Sequence, residues 1–151
     1  MLTRLLVATL ALSTLAIHEV PADAASPSSA ALLQQFQDLG GRVYIDSDRC
    51  NDRPAFGWFV NGTIHICEAN HFGDEEELAD TIRHEVWHAI QACNRGPLMY
   101  DLDREVGEAV RRGWLPMSYP RHQWETEAEA RNAAFNYTET EISGFLSAYC
   151  H

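Results

Sequence analysis

The sequence contains no lysine, and its 11 cationic residues, all of them arginines, are outnumbered by 22 acidic residues, which gives a formal net charge of −11 at pH 7. This shortage of positive charge argues against a nucleic acid as partner, because a binder needs a basic surface to contact phosphates. Internal repeats and low-complexity tracts are also missing. A hydrophobic content of 46% and a charged content of 22% are typical of a globular protein, and 151 residues favour one domain.

After the N-terminus, no apolar run is long enough to span a bilayer. Residues 1–24 are typical of a secretory signal peptide, with Arg4 before the apolar stretch 5–17 and a small-residue cleavage site at Ala22-Asp23-Ala24. The alternative is a short membrane anchor, but the apolar stretch falls short of the ~20 residues that a span needs. We therefore expect a mature chain, residues 25–151, that is secreted or periplasmic and has no stable membrane insertion.

The sequence has few cysteines, and none of them forms a CxxC pair. All four lie in the expected mature chain, at Cys50, Cys67, Cys93 and Cys150. An even number of cysteines in an exported protein indicates two disulfides. We favour Cys50–Cys67, which flank a predicted hairpin, and Cys93–Cys150, which would join two helix ends. Four buried free thiols are the alternative.

Hydrophobic periodicity and turn signals predict a single α+β domain over residues 25–151. Helices are predicted over 29–39, 74–92, 100–113 and 123–149, the last one broken near 137–139. The predicted N-caps are Ser29 and Asp74, the latter in a capping box with Glu77. A short strand is predicted over 42–45. Asn61-Gly62, between the β-prone runs 56–60 and 63–67, is the signature of a type I′ hairpin.

The predicted helix 74–92 carries an HExxH motif, His84-Glu85-Val86-Trp87-His88. Residues four apart lie on one helix face, so His84 and His88 project side by side, roughly 150° from the centre of the apolar stripe. Two neutral imidazoles at this spacing suit two positions of a tetrahedral zinc ion. Glu85 lies beside them, where it can take a proton from a zinc-activated water, and Gln91 is placed to hydrogen-bond near the site. The alternative is a surface helix with two ordinary histidines.

A third ligand must come from another segment, because catalytic zinc sites use three protein ligands and leave one position for water. No third histidine follows at the metzincin spacing. The predicted helix that starts near residue 123 offers three glutamates, Glu125, Glu127 and Glu129. Glu127 shares one helix face with alanines that allow close packing against another helix, which favours it as the ligand. Glu125 and Glu129 stay open as alternatives.

The HExxH motif, together with the later Glu127-Ala128-Glu129-Ala130 helix, resembles zincin metallopeptidases of the gluzincin type. The resemblance implies a minimal zincin-like fold, in which a short hairpin or small sheet packs on the HExxH helix and on a C-terminal glutamate-bearing helix. It implies one zinc ion per chain, held by His84, His88 and Glu127, with Glu85 as the catalytic base. Such families often carry an acidic residue or Asn four positions after the ligand glutamate, where this chain has Arg131 after Glu127 and Glu129 after Glu125.

The resemblance also gives the hairpin a role, since in zincins an edge strand above the active-site helix commonly pairs with extended substrate. Residues 63–67 occupy the corresponding place, and strand addition binds substrate through main-chain hydrogen bonds. The alternative is a purely structural hairpin. A donor for the transition-state oxyanion is expected besides the metal. The candidates are His122, Tyr119, Tyr137 and Tyr100.

The sequence therefore predicts an exported zinc metallopeptidase that hydrolyses peptide bonds in a peptide or protein substrate. The alternative is a non-catalytic, disulfide-stapled secreted module that binds zinc for structure or interaction. A structural zinc site is closed by four protein ligands, and no fourth ligand is obvious here, which favours the enzyme. Zinc hydrolysis of another amide, as in deformylation, is less favoured because the Cys-containing ligand motif of deformylases is not recognisable.

Overall fold

The computed structural model describes residues 28–51, 54–115 and 119–151, so the predicted signal peptide, residues 1–24, lies outside the described residues. The described chain has an α+β fold, which confirms the predicted fold class. None of its helices has the length and the apolar composition needed to cross a membrane. Its helices and strands follow one another as α1 (Ser29–Asp38), β1 (Arg42–Ile45), β2 (Gly57–Val60), β3 (Thr63–Ile66), α2 (Glu75–Asn94), α3 (Leu102–Arg111), α4 (Trp124–Asn136) and α5 (Glu139–Tyr149).

Local sequence signals determine where the helices begin. The Asp74 carboxylate accepts hydrogen bonds from the N–H groups of Glu76 and Glu77, which satisfies two free donors in the first turn of α2. The other half of the predicted capping box is replaced, because the Asp74 N–H donates to the His71 carbonyl. α1 is capped by Ser28, one residue before the predicted Ser29.

The predicted break in the last helix is confirmed. α4 ends at Asn136 and α5 begins at Glu139, after Thr138. Thr138 and Glu141 form a complete capping box, in which each side chain bonds the backbone N–H of the other residue. The two helices have different neighbours: α4 packs against α2 and α3, and α5 packs against α2 and α1.

The core is built around α2, which contacts α1, the sheet, α4 and α5. Fully burying one Leu or Ile side chain contributes about 1.5–3 kcal/mol, so this central helix is firmly held. Its own buried apolar side chains include Ile82, Val86 and Ile90. The neighbouring elements contribute Leu32 and Phe36 from α1, Ile64 and Ile66 from β3, and Ile142 and Leu146 from α5.

The sheet has the order β1-β3-β2, with β1 parallel and β2 antiparallel to β3. The Asn61-Gly62 turn has positive φ at both residues, 48° and 71°, which confirms the predicted type I′ hairpin. The predicted substrate role of residues 63–67 as an edge strand is wrong, because β3 is paired on both sides. Of the two hairpin strands, β2 lies at the edge of the described sheet, and it packs directly on α2.

Both predicted disulfides are confirmed. Cys50–Cys67 joins the segment after β1 to the end of β3, with a Cα–Cα distance of 5.5 Å. Cys93–Cys150 joins the C-terminal ends of α2 and α5 at 5.3 Å. All four cysteines are paired. Disulfides form and persist in oxidising compartments, so this pairing suggests an extracellular or comparable environment.

Candidate metal centre

Three side chains from two helices converge to form a group that could hold a metal ion. His84 Nε2 lies 3.5 Å from Glu127 Oε2, and His88 Nε2 lies 3.5 Å from Glu127 Oε1. The two Nε2 atoms are 3.0 Å apart, and the ligand atoms of all three residues lie within 4.8 Å of one another. Two imidazole nitrogens and one carboxylate oxygen are a donor set that suits zinc.

The fold explains why Glu127 is the glutamate that meets the histidines. Residues two apart on a helix point roughly 200° apart, so Glu127 faces away from Glu125 and Glu129. Glu125 is exposed. Glu129 is fully buried, and its Oε1 accepts hydrogen bonds from the N–H groups of Leu98 and Met99, at 2.7 and 2.9 Å. Of the three glutamates left open by the sequence, the structure brings Glu127 alone to both histidines.

The alanines of α4 allow this approach. Ala130 and Ala133 are buried in the main core against α2, while Ala128 packs on the opposite side against α3 and the segment that follows it. Small side chains let two helix backbones come close, which places the short glutamate side chain within reach of a neighbouring helix. The alternation of Ala and Glu in this segment therefore has a packing reason as well as a chemical one.

The catalytic base predicted from the sequence, Glu85, lies buried beside this group. Its Oε2 has no hydrogen-bond partner among the described residues. Burial raises the pKa of Glu85 to about 7, and the charge of Glu127 acts in the same direction. The charges of His88 and Arg131 and the backbone N–H of Phe59 oppose this rise. A carboxyl group with a pKa near neutrality can both accept and return a proton.

The pKa values of the three candidate ligands shift in different directions. Burial and the neighbouring His88 lower the pKa of His84 to about 3. Burial also opposes charge on His88, but its contacts with Glu127 and the charge of Glu85 raise the pKa of His88 above its usual value. Burial would raise the pKa of Glu127, yet the two imidazoles outweigh it and hold that pKa well below its usual range. The proton that the metal-free group binds therefore resides on His88.

The candidate ligands and Glu85 line a cleft of about 530 Å³, within the size range of small-molecule sites. One wall is the edge strand β2, through Gly57 to Phe59. A Cβ atom at Gly57 would lie 3.1 Å from Glu85 Cγ, so the strand passes directly over the glutamate. The opposite wall includes Tyr119, His122 and Arg131.

The structure separates the four candidate oxyanion donors into two pairs. Tyr119 and His122 line the cleft. Burial and the charge of Glu127 raise the pKa of Tyr119, which keeps its hydroxyl protonated and able to donate. Tyr137 instead stacks on Trp87, with ring centroids 5.5 Å apart, and Tyr100 is fully exposed outside the cleft.

Two features of the site carry weaker sequence signals. The predicted contact of Gln91 near the site is confirmed, because its Oε1 lies 2.8 Å from His88 Nδ1. The position of Arg131 in the cleft was not predicted, although it lies one helical turn after Glu127 and so shares its face.

Comparisons of the chain with protein-family models, curated proteins and solved structures found no match. The functional argument therefore depends on the geometry of this cleft.

Proposed function

We propose that this protein is an exported zinc-dependent metallopeptidase of the zincin type, which hydrolyses peptide bonds in a peptide or protein substrate. The observation that carries the proposal is the convergence of His84, His88 and Glu127 beside the buried Glu85 in one cleft. The described residues supply three ligand groups here, which supports a catalytic site, since structural zinc sites are closed by four. Zinc, when bound, would supply a water of lowered pKa and polarise the scissile carbonyl.

Glu85 is the general base of the proposed reaction. Its carboxylate takes a proton from the attacking water and returns it to the amine that leaves when the peptide bond breaks. In the metal-free site the pKa of Glu85 is about 7, and a bound zinc ion would lower it and favour the carboxylate that accepts the water proton. The unpaired Oε2 leaves an acceptor free for the water proton.

The edge strand β2 replaces β3 as the proposed substrate-binding strand. The Cys67 N–H donates to the Phe56 carbonyl at 2.8 Å, so the antiparallel register directs the main-chain groups of Trp58 and Val60 toward β3. The main-chain groups of Gly57 and the carbonyl of Phe59 face the outer edge, while the Phe59 N–H is directed at the Glu85 carboxylate. An extended peptide that pairs with them lies along the cleft wall above Glu85, and Tyr119 on the opposite wall donates to the developing oxyanion.

The test is a measurement of zinc content and peptide hydrolysis in the mature chain, the Glu85→Gln variant and the His88→Ala variant. We expect one zinc per chain in the first two, loss of zinc in the third, and hydrolysis of an unfolded protein substrate by the unmodified chain alone. Undiminished hydrolysis by the Glu85→Gln variant contradicts the proposed mechanism. Stable zinc binding without hydrolysis by any of the three proteins supports the non-catalytic secreted zinc module instead.

A further inference from the structure

One side chain outside the candidate ligand group has hydrogen-bond partners for both of its amide hydrogens and for its amide oxygen. Gln91 is 3% exposed and lies three residues after His88 on α2. Its Nε2 donates to the Thr126 carbonyl at 2.9 Å and to Glu129 Oε2 at 2.7 Å. Its Oε1 lies 2.8 Å from His88 Nδ1. A buried amide in this position links α2 to α4 on the far side of the imidazole from the candidate metal position.

The partners of Gln91 determine which way its amide faces. The Thr126 carbonyl oxygen can only accept a hydrogen bond, so the amide nitrogen of Gln91 must face it. The amide oxygen is then left facing His88. Because that oxygen can only accept, Nδ1 of His88 must carry the hydrogen. His88 Nε2, which faces Glu127 and His84, is therefore the nitrogen with a free lone pair when the ring is neutral.

Glu129 binds the nitrogen end of the Gln91 amide, opposite the oxygen that faces His88. Its Oε1 is anchored by the backbone N–H groups of Leu98 and Met99, and its Oε2 receives the second hydrogen of the Gln91 amide. The carboxylate is fully buried, and its hydrogen bonds go to these three residues and not to the candidate ligands. His84 has no comparable partner, since its Nδ1 is buried without a hydrogen bond among the described residues. The fold therefore fixes the tautomer of one histidine of the pair and not of the other.

We propose that Gln91 and Glu129 are positioning residues that hold His88 in its Nδ1–H tautomer, with Nε2 ready to bind the metal. The inference rests on the metal site of the proposed function, but not on peptide hydrolysis. Hydrogen-bonded partners behind metal-binding imidazoles set tautomer and orientation, and their loss typically lowers metal affinity 10- to 100-fold. Glu129 was one of the sequence candidates for the third ligand, and in this proposal it acts on the metal site through Gln91 and His88.

The experiment reads the tautomer and the zinc affinity separately. Long-range nitrogen-15 spectra of the histidine rings, recorded on the metal-free mature chain at a pH where His88 is neutral, report which ring nitrogen carries the hydrogen. Zinc affinity is measured by competition with a chelator of known affinity. For Gln91→Leu we expect a mixture of tautomers at His88 and a loss of zinc affinity of at least about 10-fold. Gln34→Leu is the matched control, because it makes the same substitution at an exposed residue of α1.

A paired exchange distinguishes positioning from packing. In Gln91→Glu the new carboxylate lies against that of Glu129, so we expect poor folding and weak zinc binding. In Gln91→Glu combined with Glu129→Gln, the carboxylate again accepts from His88 Nδ1 and the new amide donates to it, so the Nδ1–H tautomer should return. The Thr126 carbonyl loses its donor in this variant and faces the carboxylate, so we expect the zinc affinity to recover only in part. A folded Gln91→Leu variant with a pure Nδ1–H tautomer and unchanged affinity overturns the inference, as does a paired exchange that folds but fails to restore the tautomer. The tautomer result stands even if the unmodified chain hydrolyses no peptide.

Discussion

The Nε2 atoms of His84 and His88 lie 3.0 Å apart, and the Glu127 carboxylate lies 3.5 Å from each of them. Burial and repulsion from the nearby His88 lower the pKa of His84, whereas Glu127 and Glu85 raise that of His88. A single proton on His88 thus occupies the position where a cation is stabilised. A divalent metal ion that binds there must displace it.

The affinity for zinc should therefore depend on pH. The pKa of His88 is raised, so the ring stays protonated to a higher pH than an ordinary imidazole. Because a ligand must be neutral to bind zinc, the affinity should increase as pH rises and level off once it passes the pKa of His88. Zinc titration calorimetry, repeated in buffers of different ionisation enthalpy, measures both the affinity and the protons released. A zinc affinity that is constant between about pH 5 and 8 would contradict this sharing of one proton.

The third ligand can be tested against a neighbour on the same helix. Glu127→Gln removes the carboxylate that faces both histidines, so we expect the loss of stoichiometric zinc binding. Glu125→Gln is the matched control, because the same exchange is made two residues away on an exposed side chain. The zinc content of the two variants is measured after purification without chelator. Retention of zinc by the first variant and its loss from the second would assign the ligand to Glu125.

The contrast between the HExxH histidines and the glutamates shows how far the sequence could determine this site. His84 and His88 could be paired from spacing alone, because the helix itself brings residues four apart together. The choice among the three glutamates could not be made from spacing, because it depends on how α4 is rotated against α2. The disulfides could be paired because one pair of cysteines flanks the predicted hairpin and the other pair lies at the ends of two predicted helices.

The sheet illustrates the same limit. The Asn61-Gly62 signature specifies the local pairing of β2 with β3, and this was predicted. Nothing local specifies that β1 adds in parallel on the other side of β3. That long-range pairing makes β3 central, so the hairpin strand at the edge of the described sheet is the one before the turn. The break in the last helix and the type I′ turn were confirmed because each depends on local sequence, whereas a prediction that needed the strand order was wrong.

The two disulfides should contribute unequally to stability. Cross-linking reduces the entropy of the unfolded chain by an amount that grows with the length of the closed loop. For sequence separations of 57 and 17 residues, this gives about 4 kcal/mol for Cys93–Cys150 and about 3 kcal/mol for Cys50–Cys67. Urea unfolding of the two double Cys→Ser variants measures the difference. A larger loss of unfolding free energy for the shorter loop would mean that native contacts, rather than loop closure, dominate.

Arg131 should adjust the working pH of the proposed base. Its positive charge lowers the pKa of Glu85, so Arg131→Met should raise that pKa. Activity needs the ionised carboxylate, which forms as pH rises through its pKa, and the acid limb of kcat/KM should therefore move to higher pH. Arg121→Met is the control, because that exposed arginine stacks near Trp124 instead. An acid limb that moves to lower pH, or not at all, would contradict the proposed influence on Glu85.

The contact between the edge strand and Glu85 is tested by adding one methyl group. A Cβ at Gly57 would lie 3.0 Å from both the His65 carbonyl oxygen and Thr81 Cγ2, and 3.1 Å from Glu85 Cγ. Two of these neighbours cannot move freely, since the carbonyl belongs to β3 and the glutamate is buried. In Gly57→Ala we therefore expect β2 to shift away from α2, and displacements of this size lower kcat/KM by up to about 100-fold when they disturb reacting groups.

Gly144→Ala separates this effect from the general consequences of replacing glycine. A Cβ at Gly144 meets no atom within 4 Å, and the residue lies inside α5. Alanine there should raise the unfolding free energy by up to about 1 kcal/mol and leave peptide hydrolysis unchanged. Thermal unfolding and initial rates on one peptide substrate measure both variants. Undiminished kcat/KM in folded Gly57→Ala would show that β2 can move without consequence, and the strand would then have no part in presenting substrate to Glu85.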